Sequence, residues 1–191
     1  MRRQIQLFIS SVCAVFGLVI FSPGAVAEQL NAEIIEFGYY KKNSEPKRYK
    51  NPGTVSGYVQ EGGDVELIEK TDRIPAEKNR LFGFKFRVTG LTNMLSTQLV
   101  LKVTHPEIKR GNGSVATSYS YPILLDVKDG VIENQAGYSL DHGYELVAGE
   151  WTFELWYYKQ KIVSQTFFTY FPDKGLDQKE SGASPSGLTV R

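Results

Sequence analysis

Apolar and polar residues alternate along much of the chain with a period of two, the signature of strands that bury one face of a sheet. Phe82, Phe84, Phe86 and Val88 are separated by Gly83, Lys85 and Arg87. Leu99, Leu101 and Val103 alternate with Lys102 and Thr104, and Tyr119, Tyr121, Ile123, Leu125 and Val127 with Ser118, Ser120, Pro122 and Asp126. Nearer the start, Ile35, Phe37 and Tyr39 alternate with Glu36 and Gly38, and Val65 and Leu67 follow a turn at Gly62-Gly63-Asp64. No segment of similar length places apolar residues at helical spacing between two caps.

Turn chemistry sits between these runs. Asp129-Gly130, flanked by Val127 and Val131, is a two-residue hairpin signal, and Asn112-Gly113 marks a loop after His105-Pro106. Pro122 has no N–H for a ladder, so its run is expected at a sheet edge or a bulge. About eight short strands without intervening helices predict an all-β fold, an antiparallel β-sandwich of immunoglobulin-like type. A closed barrel is the alternative.

The final hairpin predicts a surface. Trp151 to Tyr158 and Ile162 to Phe171 are expected to join at Lys159-Gln160. An even-length turn sets Tyr157 opposite Ile162 and Leu155 opposite Ser164. The core face then carries Trp151, Phe153, Leu155, Tyr157, Ile162, Phe168 and Tyr170. The other face presents Trp156, Tyr158, Val163 and Phe167, together with Glu154, Lys161 and Gln165. So much aromatic area on an outer face marks a candidate binding surface at Trp156, Tyr158, Val163 and Phe167. Two readings compete with it: a covering element over a central hairpin, or an odd-length turn that shifts the register.

The N-terminus changes the compartment. Arg2 and Arg3 precede an apolar stretch from Leu7 to Phe21, Pro23-Gly24 follows, and Ala25-Val26-Ala27 forms a small-x-small cleavage site. These are the parts of a secretory signal peptide over residues 1–27, cleaved after Ala27, and the apolar stretch is shorter than the roughly 20 residues that span a bilayer. The expected organisation is a leader over 1–27, one β-sandwich domain over 28–171 and a disordered, Pro/Gly/Ser-containing tail over 172–191. Cleavage removes two arginines and no acid, which lowers the formal net charge of +1 by two, and it removes the only cysteine, Cys13. The exported chain is therefore expected without disulfides or a thiol nucleophile, in the periplasm or secreted. Its near-neutral charge argues against nucleic acid as a partner, and the basic stretch Lys41-Lys42 to Lys47-Arg48 and Lys50 reads as a solvated loop.

Candidate chemistry is sparse. The two histidines, His105 and His142, read as surface or turn residues, and no serine stands in a nucleophile-elbow pattern. Two separated histidines without cysteine make a weak zinc set, and Asp126-x-x-Asp129-Gly130 lacks the pattern of a calcium loop. Carboxylates such as Glu36, Glu66, Glu69, Glu133 and Glu154 could form the pair that glycoside hydrolysis needs, but acids on the polar face of strands explain them equally. Phosphate-binding glycine loops are absent, and Asn112-Gly113-Ser114 matches a glycosylation sequon. The expectation is no catalytic residue, no metal and no cofactor.

Three segments, Ile35-Glu36-Phe37-Gly38-Tyr39-Tyr40, Phe82-Gly83-Phe84-Lys85-Phe86 and Gly149-Glu150-Trp151-Thr152-Phe153 with Phe167, resemble the bacterial family called domain of unknown function 3859. His105-Pro106 is similar in placement, and the resemblance covers roughly residues 32–171. It implies a bacterial exported β-domain and transfers no catalytic residue. The sequence thus points to an exported, non-catalytic binding or interaction protein whose partner is an envelope protein or a glycan. A carbohydrate-binding module is the alternative, and a carboxylate-dependent hydrolase a more distant one.

Overall fold

Alternation over many short segments buries its apolar rows when two sheets stack face to face. This is the architecture of the computed structural model, which describes residues 29–110 and 113–172. The expected leader, Asn112 of the sequon and the tail beyond Pro172 lie outside these residues. The strands are β1 (Asn31–Lys42), β2 (Lys47–Lys50), β3 (Tyr58–Glu61), β4 (Val65–Glu69), β5 (Arg73–Pro75) and β6 (Arg80–Thr89). They continue with β7 (Ser96–Lys109), β8 (Val115–Asp126), β9 (Ile132–Leu140), β10 (Gly149–Tyr157) and β11 (Gln160–Tyr170).

One sheet has the order β4-β1-β6-β9 and the other β5-β11-β10-β7-β8, while β2 and β3 pair only with each other as a separate ribbon. The two main sheets do not join into the barrel. Every pair is antiparallel except β5 with β11, which run parallel from Arg73–Pro75 beside Phe168–Tyr170.

Phe82, Phe84, Phe86 and Val88 on β6 and Leu99, Leu101 and Val103 on β7 are all buried, as their alternation requires. Phe82 is the hub. Its ring meets Trp151 at 5.4 Å, Phe153 at 5.7 Å and Phe167 at 5.5 Å, each edge to face, the arrangement aromatic quadrupoles favour. Pro122 lies on β8, the terminal strand of its sheet, where its missing N–H costs no ladder bond.

Asp129 and Gly130 both have positive φ, 52° and 76°, and Lys128 and Val131 exchange two backbone hydrogen bonds of 2.9 Å around them. The strands do not continue as a hairpin, because β8 belongs to the five-stranded sheet and β9 to the four-stranded one. The turn is a corner between sheets.

Two bulges correct the expected faces. Against β6, the register of β1 shifts between Ile34 and Glu36, so Ile35 is 42% exposed and Ile34 stands opposite Phe86. In the final hairpin the turn is Tyr158-Lys159, Tyr157 faces Gln160, and the register slips between Trp156 and Leu155. Leu155 then faces Val163 instead of Ser164, and Trp151 faces Phe167. One extra residue in a strand inverts every side chain beyond it. Val163 and Phe167, expected outside, are buried in the core, and Phe168 and Tyr170, expected inside, are exposed.

Candidate functional site

The surface named from the sequence is smaller than expected, since Val163 and Phe167 have left it. Trp156 remains on the outer face of β10 but is engaged there. Its Nε1 donates to Glu154 Oε2 at 3.0 Å, and the Lys102 ammonium lies 3.8 Å from the ring centre, a cation–π contact. Lys161 pairs with Glu154 at 2.8 Å, and this hydrogen bond, with that of Trp156, holds the Glu154 carboxyl below the usual carboxylate range. Tyr158 is 81% exposed at the hairpin tip, in the left-handed region at φ 49°, with its ring against Tyr157 at 4.6 Å.

His105 also departs from the sequence reading. It is a core residue, 4% exposed, stacked on Trp151 at 5.1 Å with Nδ1 2.7 Å from the Pro106 carbonyl oxygen. Its Nε2 is buried without a hydrogen-bond partner, and burial lowers its pKa against the opposing effect of the Pro106 carbonyl. His142 precedes a single 3-10 turn, Gly143–Glu145, and its N–H donates to Glu145 Oε2 at 2.8 Å. Glu145 itself is fully buried and accepts the Tyr138 hydroxyl at 2.6 Å. Nothing in the local sequence marks it as internal, because its partner arrives from β9. Three of the strand acids named from the sequence have partners on the polar faces of the strands. Glu36 pairs with Lys85, Glu133 with Arg87, and Glu69 accepts the Tyr39 hydroxyl. Among the described residues no cluster of three or more His, Cys, Asp or Glu is placed to hold a metal ion.

Among the described residues a concave feature lies elsewhere, under the β2–β3 ribbon. Lys42 and Val65 are paired at the ends of β1 and β4, so residues 43–64 leave the sheet as a closed excursion. Its neck is tied by Asn43 N–H to the Asp64 carbonyl at 2.8 Å and by Asp64 N–H to Ser44 Oγ at 2.7 Å. Farther out, Asp141 binds the excursion to the sandwich, accepting Gln60 Nε2 at 2.8 Å, Ser139 Oγ at 2.6 Å and Lys42 Nζ at 3.3 Å. Burial pushes the Asp141 carboxyl up, but these three donors outweigh it and hold it below its ordinary value.

Between ribbon and sandwich is a cavity of about 130 Å³. Thr54, Ser56, Tyr58 and Gln60 form its ribbon side. Opposite them lie Tyr40, Gly83, Gly137 and Ser139 of the four-stranded sheet, with Tyr119 and Tyr121 of β8. Gly83 and Gly137 are paired across β6 and β9, and a Cβ on Gly83 would stand 2.1 Å from the Ala136 carbonyl oxygen. Only glycine permits that approach, and it leaves bare backbone as part of the cavity wall. A wider groove of about 1070 Å³ continues from it between β8 and β9, sharing Val59, Gln60, Tyr121 and Gln135. Ile123 and the 74% exposed Leu124 lie along this groove. No short motif announces either hollow, since the walls come from segments far apart in the chain.

The architecture has a solved counterpart. An immunoglobulin-like protein from Pseudomonas aeruginosa superposes with a TM-score of 0.52 at 16% identity, over 76% of this chain and 99% of that one. That likeness establishes the fold alone. An alkylpurine DNA glycosylase AlkC from Pseudomonas fluorescens, solved bound to DNA containing an abasic site analog, reaches a TM-score of 0.33 at 8% identity, over 51% of this chain and 27% of that one. So low a score carries no argument. None of the curated proteins matches the chain. The sequence profile of domain of unknown function 3859 matches residues 28–169, which takes in both sheets except Tyr170, the last residue of β11, and the chain belongs to the DUF3859 family.

Proposed function

We propose that the protein is an exported, non-catalytic binding module that recognises a component of the cell envelope on the side covered by the β2–β3 ribbon. The observation that carries this reading is the joined cavity and groove, walled by three separate parts of the fold and lined by partly exposed apolar and aromatic side chains such as Tyr121 and Ile123. Concave sites of mixed lining are where proteins hold ligands, whereas flat polar sheet faces are not. The outer face around Trp156 is of the second kind, its ring and carboxylate already satisfied by Lys102, Lys161 and each other. Export rests on the basic, apolar and small-x-small segments of residues 1–27.

A photo-crosslinking residue at Leu124, on the groove, and another at Tyr158, on the hairpin tip, test the reading in the intact envelope. A partner labelled from Leu124 and not from Tyr158 supports it. Labelling from Tyr158 alone assigns recognition to the hairpin instead. That is the second reading, favoured by one observation: Tyr158 is a bulky exposed aromatic held in a left-handed backbone conformation. N-terminal sequencing of the exported protein is expected to begin at Glu28.

A further inference from the structure

We propose that the cavity beneath the β2–β3 ribbon binds a single uncharged sugar ring, with the ribbon as its cover and the groove as the path for the rest of a glycan. The inference rests on the binding reading above and names the ligand class of that site. Size selects the ligand first. A protein cavity near 150 Å³ accommodates a bare six-membered ring such as benzene, and about 130 Å³ is of that order, so the exocyclic hydroxyls of a sugar would extend through the open side toward the groove. A longer chain would have to leave the cavity, and the groove of about 1070 Å³ opens beside it through the shared walls Val59, Gln60, Tyr121 and Gln135.

Charge selects it next. Lys42 is the one charged side chain lining the cavity, and it pairs at 3.3 Å with Asp141, which stands outside the lining. An anionic ligand would have to compete with Asp141 for Lys42, and a cationic one would meet no carboxylate in the cavity wall. The rest of the wall is aromatic surface from Tyr40, Tyr119 and Tyr121 with Thr54, Ser56 and Gln60, whose hydroxyl and amide groups donate to Asn51, Tyr58 and Asp141 and keep acceptor oxygens for a ligand. Rings that are apolar on the face and polar at the edge suit a ligand built the same way. Burial, reinforced by Glu61, pushes the Tyr121 hydroxyl to about 12, and burial with Glu36 raises that of Tyr40. Both hydroxyls therefore stay protonated and neutral at physiological pH.

The cover follows from topology. The ribbon makes no ladder with either sheet. Beyond its neck, the Gln60–Asp141 hydrogen bond is a side-chain tie to the end of β9. Such a tie can open and close around a ligand without disturbing the sandwich.

The test titrates the mature chain, residues 28–191, with glucose, galactose, mannose, N-acetylglucosamine and glucuronic acid, followed by amide chemical shifts. The expected result is saturable binding of at least one neutral monosaccharide, with shifts at Gly83, Gly137 and Gln60. Ser56→Trp fills the cavity from the ribbon side and is expected to weaken binding by at least about tenfold. Gln60→Ala removes a polar wall group and is a second variant that leaves the sheets intact. Several results overturn the inference: no saturable response up to about 50 mM of any neutral sugar, tighter binding of glucuronic acid than of its neutral counterparts, or binding that survives both substitutions unchanged. If the sugars fail while Leu124 still crosslinks a partner, the ligand class is wrong and the binding side stands. If both fail, the site falls with it.

Discussion

Phe82 and Phe167 meet edge to face across the two sheets, their ring centres 5.5 Å apart. Phe167 reaches that position because β11 carries one residue more than an unbroken pairing with β10 would require. Phe167→Ala is expected to cost about 3–5 kcal/mol, the usual range for emptying a large core site. Phe168→Ala, on the exposed side of the same strand, is expected to cost less than about 1 kcal/mol. Urea unfolding followed by tryptophan fluorescence compares the two. Equal costs would mean that the strand does not sit in this register.

The Tyr138–Glu145 hydrogen bond should be a strong one. A fully buried carboxylate accepts the hydroxyl at 2.6 Å and the His142 N–H at 2.8 Å. Tyr138→Phe leaves Glu145 one donor short inside the protein, at an expected cost of about 1.5–3 kcal/mol. A loss under about 0.5 kcal/mol in chemical denaturation would show that water reaches the carboxylate.

His105 makes stability depend on pH in a defined direction. Burial holds its folded pKa below the ordinary 6.5, so in the window between the two values the unfolded chain binds more protons than the folded one. Stability should therefore fall as pH drops below 6.5 and level off, for this group, once the pH passes the folded value. Melting temperatures between pH 7.5 and 5 measure the slope, and His105→Phe should flatten it. An unchanged slope in that variant would assign the effect to other groups.

Asp141 acts lower on the scale and with the opposite shift. Its folded pKa lies below the ordinary 3.8, so the stability that it contributes is present above 3.8 and disappears as the pH falls through the depressed value. Asp141→Asn should remove that acid-side loss, and it should also raise amide exchange in β3, because Gln60 loses its ionised acceptor. Unchanged exchange at Tyr58–Glu61 would show that the ribbon is held by other contacts.

Tyr158 has the backbone of a residue type it is not. At φ 49° a tyrosine is strained where asparagine is tolerated, so Tyr158→Asn is expected to stabilise the isolated domain by about 0.5 kcal/mol. Thermal unfolding reads the difference. A clear loss would mean that the edge-to-face contact of its ring with Tyr157 outweighs the backbone strain.

The sequence by itself determined the class of the protein, because a period of two is a local property. Phe82 to Val88, Leu99 to Val103 and the two-residue turn at Asp129-Gly130 each state their conformation within a few residues. Pro122 declares an edge strand through a missing N–H, which no neighbour can restore. The faces were another matter. Bulges at Ile35 and in the final hairpin add one residue each, a change too small to alter composition or pattern strength but enough to invert the side chains beyond it. That is why Val163 and Phe167 read as surface and are core. The same holds for His105 and Glu145, whose burial depends on Trp151 and Tyr138 arriving from other strands. The cavity is the extreme case. It exists only where a ribbon that pairs with neither sheet, a bare glycine pair on β6 and β9, and two tyrosines of β8 come together. Local sequence sets which residues can form strands, and only the long-range pairing of those strands decides what they enclose.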